Sequence, residues 1–140
     1  MEPQLTLSSP MPNRSILLVE DDLNVRKLFE RLLTNAGFDV FEVVDGFEAL
    51  HQVDARLPDA IVLDLSLPRL TGHGVLYDLH ANPRTREIPV IVVTGSQDTV
   101  ESPNVVCVLR KPFPSETLVR TIRECLGRGA APSINEFEGQ

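Results

Sequence analysis

Residues 16–22 read ILLVEDD, four aliphatic side chains running straight into three carboxylates. An unbroken aliphatic run of this kind is what a strand needs when helices cover both of its faces, and such strands belong to parallel sheets. The acids mark the carboxyl end of that strand, where three neighbouring like charges repel one another and call for a compensating partner.

Working outward, four more apolar runs follow: Val40–Val44, Ala60–Leu63, Val90–Val93 and Val105–Leu109. The first of them, within FDVFEVV, admits Asp39 and Glu42 and is therefore predicted to lie at a sheet edge. Between the runs the period changes from strand to helix. Val25, Leu28, Phe29, Leu32 and Leu33 form one amphipathic stripe, stopped by Asn35-Ala36-Gly37. Asp45 opens a second helix, with Glu48 in capping-box position and Leu50, Val53 and Leu57 as its apolar face. A third carries Val75, Leu76 and Leu79 and ends before Pro83. The last starts near Ser115, buries Leu118, Val119, Ile122 and Leu126, and is closed by Gly127 and Gly129. Phe47 and Phe113 read as core.

This alternation predicts an α/β fold: a single-domain, doubly wound (flavodoxin-like) five-stranded parallel sheet of order 2-1-3-4-5. Only QDTVESP separates Ser96 from Asn104, enough for about 10 Å of helix, and Pro103 opposes its continuation. The helix between strands four and five is thus expected to be shortened or missing. Residues 1–13 are expected to be a flexible N-terminal extension, with Met11 an alternative start; residues 14–127 form the domain, and 128–140 a flexible C-terminal tail.

The chain has 140 residues and a net charge of −7, which argues against a nucleic-acid surface built from clustered Lys and Arg. No apolar run approaches the ~18 residues of a membrane span, and MEPQLTLSSPMPNR lacks the features of a secretory signal. A cytoplasmic protein is expected. Cys107 and Cys125 read as buried free thiols in a reducing compartment. His51, His73 and His80 have no acid or cysteine at ligand spacing and read as surface or partly buried side chains, and Arg84 and Arg86 as a solvated loop.

In open parallel sheets, sites form beyond the carboxyl ends of the strands, where strand order reverses. There stand Glu20, Asp21 and Asp22 after strand one, Asp64 after strand three, Thr94 after strand four, and Lys111 then Pro112 after strand five. Crowded carboxylates stay ionised only beside a cation; Mg²⁺ takes one or two carboxylates plus waters and phosphate oxygens. A lysine supplies a point charge for a phosphoryl oxygen, and a threonine hydroxyl can donate to one. These are parts for phosphoryl transfer, which depends on positioning and charge neutralisation. A phosphate-cradling loop would need glycines here; acids stand in their place, which also excludes a flavin phosphate site.

The stretches ILLVEDD, IVLDLSLPRLTG, VIVVTG and LRKPF resemble, in order, the four signatures of response regulator receiver domains, over roughly residues 14–127. The resemblance implies that Asp64 accepts a phosphoryl group from a phosphohistidine of a sensor histidine kinase or phosphotransfer protein. It implies that Asp21, Asp64 and the backbone carbonyl of Ser66 ligate Mg²⁺, with Glu20 acting through water. Thr94 would hydrogen-bond the phosphoryl group, Lys111 would pair with it, and Pro112 would follow a cis peptide bond. Asp22 falls one position beyond the family's acidic pair and is read as the cap of the first helix. Val108 departs from the pattern: relatives carry there an aromatic that rotates inward on activation. The face beside the missing helix often carries output in relatives, and positions 66 and 96, both Ser here, influence phosphoryl lifetime in them.

The expected function is a stand-alone, Mg²⁺-dependent phosphoacceptor that switches protein–protein interactions and is not an enzyme with turnover. After residue 127 there is no room for an output domain, so either a downstream protein partner is expected, without nucleic acid or membrane, or the chain is a fragment of a longer protein. The alternative is a degenerate receiver acting as a constitutive protein-binding module, favoured by Val108 and the short fourth crossover and opposed by the intact acid, Thr and Lys set. A small aspartyl-phosphate phosphatase would want a second Asp where Ser66 stands.

Overall fold

A computed structural model of the chain describes residues 13–97 and 99–127 and the backbone of 135–138. The expected N-terminal extension, Met11 included, lies outside these residues apart from Asn13. The aliphatic runs become strands β1 (Ser15–Val19), β2 (Asp39–Val43), β3 (Ala60–Asp64), β4 (Val90–Thr94) and β5 (Val105–Arg110). The 3.6-period stripes become helices α1 (Leu23–Asn35), α2 (Gly46–Ala55), α3 (Gly72–Ala81) and α4 (Ser115–Gly127). The strands pair in parallel in the order β2-β1-β3-β4-β5, as expected, with β2 at one edge. Among the described residues no helix joins β4 to β5. Val100 of that connection is buried instead, in the cluster that holds Val90, Val92, Val105 and Val108.

The sheet divides the core into two clusters. One lies under α2 and α3 and includes Val53, Val75, Leu76 and Leu79; the other lies under α1 and α4, through Phe29, Leu33, Leu118 and Ile122. Phe113 packs on the second cluster, its ring 6.0 Å from that of Phe29. Cys107 is buried and Cys125 half-buried, neither in a disulfide. The three histidines are exposed, as are Arg84 and Arg86, with Arg84 Nη1 2.6 Å from Asp54 Oδ1.

Three apolar residues do not go where the periodicity puts them. Leu28 is 42% exposed, because the buried line of α1 runs through Phe29 and Leu33 and Leu28 sits more than about a quarter of a helical circle away from both. Leu57 is 47% exposed, because α2 ends at Ala55 and Arg56 is already extended. Phe47 is 51% exposed rather than core, with the guanidinium carbon of Arg69 5.3 Å from its ring centre.

The C-terminal segment also departs from expectation. Residues Asn135–Glu138, read above as flexible tail, form a sixth strand, β6, pairing in parallel with β5 from Cys107↔Asn135 to Arg110↔Glu138. NEFE lacks the aliphatic run that marks the other strands.

Candidate functional site

Register brings the strand ends together. Val19 lies opposite Leu63, so the chain emerges from β1 as Glu20 and Asp21 beside the end of β3 at Asp64. Thr94 lies opposite Arg110, so Lys111 follows directly beyond the end of β4. The N–H of Lys111 donates to the Thr94 carbonyl at 2.8 Å, and the Lys111–Pro112 peptide is cis.

Carboxylate oxygens of Glu20, Asp21 and Asp64 lie within 4.8 Å of one another. Glu20 and Asp64 are buried, Asp21 exposed. Lys111 Nζ stands 3.3 Å from Glu20 Oε1 and 3.8 Å from Asp64 Oδ2. Asp64 Oδ1 accepts from the Ser66 N–H at 3.0 Å, which fixes the carboxyl plane from its own loop. Ser66 itself is exposed at the rim. Thr94 is fully buried, and its Oγ1 accepts from the Ser96 N–H at 3.0 Å. Val108 is also fully buried, in the core cluster under α2 and α3. Asp22 caps α1, accepting from the Val25 N–H at 3.0 Å, and is thereby turned to the helix N-terminus. Asp45 caps α2 in the same way, through the Glu48 N–H at 2.8 Å.

The electrostatics follow from this crowding. Burial, then the Asp64 charge, push Glu20 up from 4.5 to about 7, against the Asp22 N–H and the Lys111 ammonium, which pull it down. One lysine does not offset three acids. The donor set is all oxygen, carboxylates from two strand ends, and it suits a hard divalent cation; the raised Glu20 shows the repulsion that such a cation would relieve.

A stability prediction follows for the metal-free protein. A carboxyl whose folded pKa is raised holds its proton longer in the folded state, so wild-type stability is undiminished below about pH 4.5 and falls as pH climbs through about 7. Glu20→Gln escapes that fall. In EDTA at pH 8 it is expected to be more stable than wild type by on the order of 2 kcal/mol, with the gap closing near pH 4.5. Urea denaturation across that range measures it; a gap independent of pH would show that Glu20 carries no such repulsion.

Two arginines were not singled out by sequence reasoning. Arg26 Nη1 donates to the carbonyls of Glu20 and Asp21 at 3.0 and 3.4 Å, while its Nε pairs with Glu42 at 3.2 Å; it pins the turn that presents the acids. Arg110 Nη1 donates to the Ser96 carbonyl. The position of Arg26 one turn beyond the Asp22 cap is a sequence cue to the first; nothing local marks the second.

Comparison with known proteins agrees with this geometry. The family model described as response regulator receiver domain matches residues 16–123. The chain is 30% identical over 119 residues to the polar-differentiation response regulator DivK of Brucella anthropi, covering 81% of this chain and 97% of that protein. It is 31% identical over 130 residues to the probable transcriptional regulator ycf27 of Porphyridium aerugineum, covering 89% of this chain and 53% of that one. The chain thus spans about half the length of the ycf27 relatives that it matches. Among solved structures, the receiver domain of sensor histidine kinase PA1611 from Pseudomonas aeruginosa PAO1 aligns with a TM-score of 0.75 at 30% identity, over 82% of this chain and 98% of that one. That structure has a magnesium ion coordinated in its active site cleft. No helix among the described residues is long and apolar enough to cross a membrane.

Proposed function

The chain belongs to the response regulator receiver domain family, and from that premise we propose that it is a stand-alone, Mg²⁺-dependent phosphoacceptor whose phosphorylation on Asp64 switches its contacts with other proteins. The observation that carries this reading is the setting of Asp64. Its buried carboxyl is oriented by the Ser66 N–H, faced by the Lys111 ammonium, and crowded by Glu20 and Asp21.

In the reaction, a carboxylate oxygen of Asp64 attacks phosphorus as the bond to the donor's leaving group breaks, an imidazole nitrogen in a kinase or phosphotransfer protein, or acetate in acetyl phosphate. Lys111 moves from pairing with carboxylates to pairing with the incoming phosphoryl oxygens, and the Thr94 hydroxyl donates to one of them. Bound Mg²⁺, held by Asp21, Asp64 and the Ser66 carbonyl with Glu20 through water, would neutralise charge on the acids and on the phosphoryl oxygens. Asp64 ends as an acyl phosphate, so the protein is a stoichiometric acceptor rather than an enzyme with a substrate of its own. A cytoplasmic setting and a histidine kinase donor fit this chemistry.

Val108 favours the second reading, a constitutive protein-binding module. Its side chain is fully buried and offers no ring to swing. Incubation with acetyl phosphate separates the two: an intact-mass gain of one phosphoryl group in Mg²⁺, absent in EDTA, is expected of the acceptor. No gain from acetyl phosphate or from any histidine kinase, in folded protein that binds Mg²⁺, would leave the module.

A further inference from the structure

Ser96 is held at both ends of its backbone. Its N–H donates to Thr94 Oγ1 at 3.0 Å, and its carbonyl accepts from Arg110 Nη1. Thr94 and Arg110 are Cα partners across the β4–β5 ladder, and both are buried, Arg110 to 7% exposure. The chain turns straight from Arg110 into Lys111, whose N–H is bonded to the Thr94 carbonyl. The hydroxyl, the first residues of the β4–β5 connection and the lysine turn are therefore one bonded unit.

Burying a guanidinium is costly unless its donors are satisfied, so a buried Arg aimed at a backbone carbonyl fixes that carbonyl firmly. The consequence reaches Thr94. A hydroxyl has one O–H and two lone pairs; the Ser96 N–H takes up a lone pair and leaves the O–H to donate elsewhere. A phosphoryl group on Asp64 would bring acceptor oxygens to the same strand ends.

Resting on the phosphoacceptor reading, we infer that Arg110 is a positioning residue: through Ser96 it sets the Thr94 hydroxyl, and it carries displacement of that hydroxyl into residues 95–97. Val108 is locked in the core, and among the described residues the connection has no helix to shift, so the tied backbone at Gly95–Gln97 is where a displacement of the Thr94 hydroxyl is passed on. The readout is thus a loop, moved by an arginine tie in place of a rotating ring.

The test uses the full chain, acetyl phosphate and Mg²⁺, with NMR amide exchange at Gly95, Ser96 and Gln97 and intact mass in parallel. Phosphorylated wild type is expected to change exchange at these amides by roughly threefold or more. Arg110→Met should still gain one phosphoryl group yet lose most of that response. Arg110→Lys, which keeps a donor, should restore it, and Ser96→Ala, which keeps both backbone bonds, should retain it. If Arg110→Met fails to fold, Arg110→Leu, which also lacks a donor, is read in its place. A full response in Arg110→Met, no rescue by Arg110→Lys, or no response in phosphorylated wild type would each overturn the inference while leaving the phosphoacceptor function intact. Wild type that takes up no phosphoryl group on Asp64 would overturn both.

Discussion

Asp64→Asn is expected to abolish phosphorylation by acetyl phosphate in Mg²⁺, reducing the rate by roughly 100-fold or more, while leaving the protein folded. An amide lacks the charge and nucleophilicity of a carboxylate, yet matches its shape, and its carbonyl can still accept the Ser66 N–H. Removing the Asp64 charge also removes the second-largest cause of the raised Glu20 pKa. The variant should therefore be no less stable than wild type at pH 8 in EDTA. That pairing of outcomes matters, because lost reactivity with lost stability would say only that the site had collapsed. The rival acceptor is Asp21, which belongs to the same cluster and is exposed to a donor. It differs in its surroundings, since it is Asp64 that combines a backbone tie from Ser66 with Lys111 at 3.8 Å. Persistent mass gain in Asp64→Asn, lost on further change of Asp21, would move the acceptor there.

The reason so much of this site was legible is that each of its acids, its hydroxyl and its amine is the last residue of a strand or one of the two residues after it. Once the aliphatic runs are recognised and their order assumed, Glu20, Asp21, Asp64, Thr94 and Lys111 have to meet, whatever the side-chain details. The capping roles of Asp22 and Asp45 were legible for the same reason, because a cap is bonded to a backbone three residues away. Where position depends on rotation about a helix axis or on where the helix stops, the pattern is less decisive, and Leu28, Phe47 and Leu57 turned outward. Arg26 and Arg110 were missed on different grounds. Their partners lie 6 and 14 residues away at the far end of a long side chain, and only the folded register shows which carbonyl each can reach. The strand β6 carries two acids in four residues, a composition that no strand pattern distinguishes from a solvated tail.

Gly72→Ala is expected to destabilise the protein by about 2–3 kcal/mol and to slow phosphorylation as well, although Gly72 bears no reacting group. It opens α3 directly after the acceptor loop, and a Cβ built there would meet Leu65 Cα at 2.5 Å and the Asp64 carbonyl oxygen at 2.8 Å. Both are backbone atoms, which cannot rotate out of the way as a side-chain tip can. The Gly72 N–H also donates to the Leu65 carbonyl at 3.0 Å, so helix and loop cannot simply part without losing a bond. Room for the methyl group must come from moving α3 away or from moving the end of β3, and the second displaces the Asp64 backbone itself. Gly95→Ala is the matched control. It adds the same methyl group beside the other end of the site, at a residue with nothing within 4 Å of the new atom, and should change stability by no more than about 0.5 kcal/mol. Urea denaturation of both variants, with the phosphorylation rate of each, measures the contrast. If Gly72→Ala proved as stable and as reactive as Gly95→Ala, the α3 junction would be a soft one, and the close approach of helix and acceptor loop would have no part in holding Asp64 in place.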